Sequence, residues 1–250
     1  MKRVVLSLSL AMGAALLCAT QRATHRASAG SKASPESRRV TDVAAGTVAD
    51  AFTTEAADPN DDRAALRRKL RDGSPGTYIS EILTQRDSSL ARWADRKGKP
   101  LTVWIQPTTK VADFTPAYVK QVRAAFEEWD ALVLPIRFAF VADSSDAEIH
   151  VDWIDRFKTP ISGRTRWTRD EDWVITDAGI TLAMHHHQGD LLDLDSMRAM
   201  ALHEVGHLLG LDHTRDTMSV MAPRVRVRGL SDADRATVRL VYALPAGPIR

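Results

Sequence analysis

Residues 203–213 read HEVGHLLGLDH, three histidines and one glutamate within eleven positions. Imidazoles and carboxylates are the side chains that hold zinc and move protons near neutral pH. A lone histidine on an apolar face is more often a hydrogen-bonded core residue than a ligand, so the spacing has to decide. His203 and His207 are four apart, which puts both rings on one face of a helix, one turn above the other. They can grip one metal ion. Glu204 is turned about 100° around the axis, where it can reach the ion's open side through a water, as a general base must. Gly210 has no Cβ and can take the left-handed conformation that ends a helix. The chain can then turn back and bring His213 in as a third ligand.

The flanks supply the helix that has to carry these residues. DLDSMRAMALHEVGHLL offers Asp195 or Ser196 as an N-cap, and Met197, Met200, Ala201, Val205 and Leu208 recur at three- and four-residue steps. The site is therefore expected on a buried, rigid helix. The sequence has one cysteine, Cys18, so histidines rather than thiolates have to hold any zinc. Three neutral imidazoles leave a fourth position for water, whose pKa can fall to about 7 on zinc.

On these residues the sequence resembles the metzincin zinc peptidases, and in particular their matrixin branch, whose long motif has His, Glu, His, Gly and His at these relative positions. DTMSVMAP resembles the methionine turn of that family: Met221 stands eight residues after His213 and is followed by Pro223, while Met218 has the poorer spacing. LSDADRATVRLVY, residues 230–242, is similar to the matrixin C-terminal helix, with Val238, Val241 and Tyr242 as its buried stripe. Asp234 matches the second of two family aspartates there, and Ala233 replaces the first, which puts support of the methionine turn in doubt. Ala222 stands where a tyrosine is common, and Thr214 follows the third histidine in place of the usual serine.

The resemblance implies an α+β fold: a twisted, mostly parallel sheet with an active-site helix and a C-terminal helix. It implies one catalytic Zn2+ on His203, His207 and His213, with Glu204 as general base, a polypeptide substrate, and hydrolysis of peptide bonds. It leaves a further structural zinc or calcium open. In that family the chain after the methionine turn walls the pocket for the residue following the cut, which here makes Pro223, Arg224 and Val225 the candidates. Arg224, Arg226 and Arg228 alternate with Val225 and Val227, so one parity faces the pocket; an inward arginine would favour acidic residues after the cut. Residues 163–167 are the candidate edge strand for an extended substrate. Matrixins commonly silence their zinc with a pro-segment cysteine, but Cys18 lies in an apolar segment, so no such switch is expected once that segment is removed.

At 250 residues with 44% hydrophobic residues the chain suits one modest domain plus appendages. Its formal charge of +2, without dense basic blocks, argues against nucleic acid as a partner. Residues 1–19 combine a basic start with an apolar run and read as an export signal or N-terminal membrane anchor. Residues 20–75, rich in Ala, Thr, Ser, Asp and Arg, read as a flexible linker or short pro-region, and residues 76–250 as the peptidase domain. PLTVWIQP, IRFAFVA, AEIHVDWI, GRTRWTRD and DAGITLAMHH read as strands, and TPAYVKQVRAAFEEWDAL as a helix capped by Thr115 with Pro116 at its first position. The run His185, His186, His187 reads as a solvated loop rather than a second metal site, and His150 as structural. An exported zinc endopeptidase is thus the expectation. The alternative is a non-catalytic zinc-bound interaction module on the same fold, against which Glu204 argues, since a structural site needs no base.

Overall fold

The computed structural model describes residues 59–249. The export or anchor segment at 1–19, Cys18 and the linker up to residue 58 lie outside the described residues. The remainder of the expected linker is structured. Helix α1 (Pro59–Gly73) packs Leu66 and Leu70 against the core, and Lys69 Nζ donates to Ala243 O at 3.3 Å. Two leucines four apart give it a single apolar stripe among charged residues, and that stripe docks rather than floating in solvent. Helix α2 (Ile79–Gln85) follows and buries Ile79 and Ile82.

The short strands β1 (Ser89–Leu90) and β2 (Arg92–Trp93) lead to β3 (Leu101–Ile105), α3 (Pro116–Asp130), β4 (Phe138–Phe140), β5 (Ile149–Ile154), β6 (Gly163–Arg169), β7 (Val174–Ala183), α4 (Leu194–Leu208), α5 (Asp232–Ala243) and β8 (Gly247–Pro248). The main sheet runs β2-β7-β5-β3-β4 with every neighbour parallel. Parallel neighbours need long crossovers, and α3 is the one between β3 and β4. Strand β6 joins β7 antiparallel, and among the described residues no strand pairs with its outer side. This is the mostly parallel α+β architecture expected.

Period-two alternation sets the buried face. Leu101, Val103 and Ile105 of β3 and Ile149, Val151 and Trp153 of β5 are all buried. Helices α3 and α4 pack together, locked where Trp129 Nε1 donates to Leu202 O at 2.9 Å and where Arg198 meets Glu128 at 2.9 Å. Trp93 Nε1 donates to Leu208 O at 2.9 Å, tying the end of α4 to β2. The cap of α4 is Asp193, whose carboxylate accepts from Ser196 N at 2.6 Å, so the helix begins two or three residues earlier than the Asp195 or Ser196 cap expected. Among the described residues no helix is long and apolar enough to cross a membrane.

Candidate metal centre

Helix α4 carries His203 and His207, and Gly210, at φ +95°, turns the chain back immediately after it. A Cβ there would run into Ala91 O, so the stop requires glycine. His213 then swings in. The three Nε2 atoms converge, 3.1 Å apart for His203 and His207 and 3.3 Å for each pair with His213. Tetrahedral ligands about 2.0–2.1 Å from a zinc ion would stand roughly 3.3 Å from one another, so the triangle fits the ion the residue types imply. The tautomers agree. His203 Nδ1 lies 2.7 Å from Val220 O and His207 Nδ1 3.0 Å from Leu211 O; a carbonyl only accepts, so each Nδ1 carries the proton and each Nε2 presents a lone pair.

Burial pushes the His203 imidazole down to about 3 and His207 to about 4, with the neighbouring histidines adding to the effect, and it lowers His213 as well. These rings stay neutral, as ligands must be. Glu204 is 3% exposed, and burial raises its carboxyl to about 7, against the opposing pull of a hydrogen bond from Thr165. Thr165 Oγ1 stands 2.7 Å from Glu204 Oε2 and 2.8 Å from Glu204 O. Gly163, two residues earlier on β6, is a close approach: a Cβ there would strike the Glu204 carboxylate.

Below α4, Met221 is fully buried and packs so close to Gly206 that a Cβ on that glycine would overlap its sulfur. Met218, the competitor in sequence, is 67% exposed. The doubt about support for this turn is resolved by Asp234, which braces it while Ala233 stands in place of the first aspartate. Its fully buried carboxylate accepts from Val220 N at 3.1 Å, from the Ser219 hydroxyl, and from Tyr78 OH at 3.0 Å, and it closes the capping box of α5 with Ser231. Val220 therefore links Asp234 to His203.

A cleft of about 660 Å³ holds the three histidines and Glu204, with β6 on one side and Pro223, Arg224 and Val225 on the other. Val225 and Val227 pack partly buried against the core while Arg224, Arg226 and Arg228 are exposed, so the inward parity is valine. His185 departs from the solvated loop expected: it is buried, with Nδ1 2.8 Å from Asp155 and Nε2 3.1 Å from Asp113. The two carboxylates sit on different ring nitrogens and do not converge on one ion. His186 and His187 are exposed at the cleft edge, and His150 Nε2 lies 3.0 Å from Ser144 O.

Thr165, Gly163, Tyr78 and Asp234's full role are what spacing alone does not reveal. Thr165 stands 39 residues from Glu204, beyond the reach of any local pattern.

The Matrixin family profile matches residues 155–243. The chain is 30% identical over 155 residues to metalloendoproteinase 1-MMP of Arabidopsis thaliana, covering 52% of this chain and 40% of the relative. It is 34% identical over 93 residues to metalloendoproteinase 1 of Glycine max, covering 34% and 27%, and 31% identical over 142 residues to matrix metalloproteinase-16 of Homo sapiens, covering 46% and 21%. The match thus spans well under half the length of these curated relatives. The matched region runs from the end of β5 through α4 to α5, which is the stretch that builds the centre, and over that region the chain is similar to the matrixin domain of zinc metalloendopeptidases.

Proposed function

We propose that the chain is an exported zinc-dependent endopeptidase, with His203, His207 and His213 as metal ligands, Glu204 as general base and Met221 as the residue of the methionine turn. The observation that carries the reading is the convergence of three Nε2 lone pairs in one cleft with a buried glutamate. When bound there, zinc supplies a Lewis acid that activates water and polarises a carbonyl. The residues of the chain do the rest. Glu204, raised to about 7, can take a proton from the attacking water at Oε1 or Oε2 and return it to the leaving amine, which is the match of pKa to task that acid–base catalysis wants. Thr165 donates to Glu204 Oε2 when it is ionised and so holds the carboxylate in place.

The outer edge of β6 offers unpaired backbone groups on which an extended peptide can lie as an added strand. Met200, Val225, Val227 and Leu192 give a recess beside the cleft a mainly apolar wall, with Arg226 and Arg228 also lining it, which suits an aliphatic side chain after the cut. Export rests on the character of residues 1–19.

Glu204→Gln should leave close to one zinc per chain while peptide hydrolysis falls at least about a hundredfold, the usual contribution of a general base. His207→Ala should instead weaken zinc binding. A digest of a mixed peptide library by the wild type should show aliphatic residues after the cut. Zinc binding without any cleavage would favour the non-catalytic interaction module, and full activity in Glu204→Gln would refute the mechanism.

A further inference from the structure

Two of the three ligands ride on a rigid helix and the third does not. His213 lies in a stretch without regular structure after Gly210, so its ring is only as fixed as the backbone that carries it. Within the loop itself, Leu211 N donates to Gly206 O at 3.0 Å and Thr214 N to Met221 O at 3.1 Å. A further set of ties comes from α2 and the residue that follows it.

Glu81 and Gln85 are one turn apart and share a face of α2, and Arg86 follows directly. Gln85 Nε2 donates to the backbone oxygen of His213 at 2.8 Å. Glu81 accepts from Thr214 Oγ1 at 3.1 Å and from Arg215 N at 2.9 Å. Arg86 Nη1 donates to Gly210 O at 3.0 Å, its guanidinium pairs with Asp212, and it lies over the Trp167 ring of β6 at 5.1 Å. Residues 210, 212, 213, 214 and 215 are each held by one of these three side chains. Tyr78, at the start of the same helix, reaches the Asp234 carboxylate behind Val220 and His203.

We infer that Glu81, Gln85 and Arg86 form a clamp that positions the third metal ligand, so that α2 sets metal affinity although it lies upstream of the family-matched span. The inference rests on the reading of His213 as a zinc ligand. A carboxylate and an amide on one helical face meet a backbone oxygen, a hydroxyl and an N–H of consecutive loop residues, while the adjacent guanidinium meets a carbonyl and a carboxylate. Groups that orient ligands in this way commonly change metal affinity by about 10–100-fold when removed. These three are positioning residues, whose hydrogen bonds and ion pair go to residues 210, 212, 213, 214 and 215.

The test uses the full chain, with zinc and cobalt(II) as the probes. Glu81→Ala and Gln85→Leu alter one half-buried and one exposed side chain, and neither removes apolar core. The zinc dissociation constant by chelator competition is expected to rise about 10–100-fold in each, with the thermal midpoint of the metal-free protein unchanged and the visible absorption of the cobalt form altered. Glu81→Gln, which keeps an acceptor oxygen, should recover part of the loss. Wild-type affinity and an unaltered cobalt spectrum in both variants would overturn the clamp, and so would a loss of affinity matched by a lower metal-free midpoint, which would assign α2 to holding the fold alone. A wild type that binds no zinc would overturn the proposed function itself, and the clamp with it, a result distinct from either variant outcome.

Discussion

Glu204 is the base of the proposed mechanism, and its environment is set by two opposing effects. Burial raises the carboxyl to about 7 and the Thr165 hydroxyl lowers it, because a hydrogen bond donated to the ionised form favours that form. Thr165→Val keeps the shape and removes the donor. The sign follows directly: without the hydroxyl the Glu204 pKa rises, and a base that must be ionised then becomes competent only at higher pH. The acid limb of the kcat/KM profile is expected to move upward, with zinc content unchanged. An unmoved limb would show that Thr165 does not tune the base.

At the scale of elements, the site is an assembly of a rigid helix, a turn beneath it and a helix that braces the turn. Asp234 belongs to α5, yet its carboxylate accepts from Val220 N, the Ser219 hydroxyl, Tyr78 OH and Ser231. One buried group therefore joins α5, the methionine turn and the residue before α2. Asp234→Asn puts an amide where only acceptors fit and leaves a buried donor unpaired, a change that costs about 1–3 kcal/mol for a neutral group and more for a charged one. Thermal or chemical denaturation should show a loss of at least about 2 kcal/mol, together with weaker zinc retention through the Val220 link to His203. Stability equal to wild type would mean that the turn holds without its brace.

Over the whole molecule, the folded body reaches further upstream than the composition of residues 20–75 suggests. Helix α1 sets Leu66 and Leu70 against the core, Lys69 reaches Ala243 O, and the α-carbon of Gly73 lies so close to Leu240 that a Cβ would meet its side chain at 2.9 Å. Replacing Leu66 and Leu70 together by serine exposes apolar surface that is now partly covered. Full burial of one such side chain is worth about 1.5–3 kcal/mol, so partial burial of two predicts a loss of about 2 kcal/mol on denaturation. A linker in solvent would show no change.

What the sequence by itself determined is the part governed by local geometry. Four-residue spacing dictates that His203 and His207 face one way, and a glycine after an apolar helix end dictates a stop; the choice of Met221 over Met218 comes from the resemblance to the matrixin methionine turn. Period-two and period-3.6 patterns likewise mark β3, β5, α3 and α4, because helix and strand repeats are short-range properties. Helix α2 escaped that reading, since seven residues are too few for the helical period to register. The tertiary structure alone decided which groups meet across the chain: Gln85 and His213, 128 residues apart, Tyr78 and Asp234, 156 apart, and Thr165 and Glu204, 39 apart. It also decided that Val225 and Val227 pack against the core while the alternating arginines stay exposed, and that His185 is buried between two aspartates. In each case the outcome depended on which element packs beside which, a consequence of closing one shared core rather than of any local repeat.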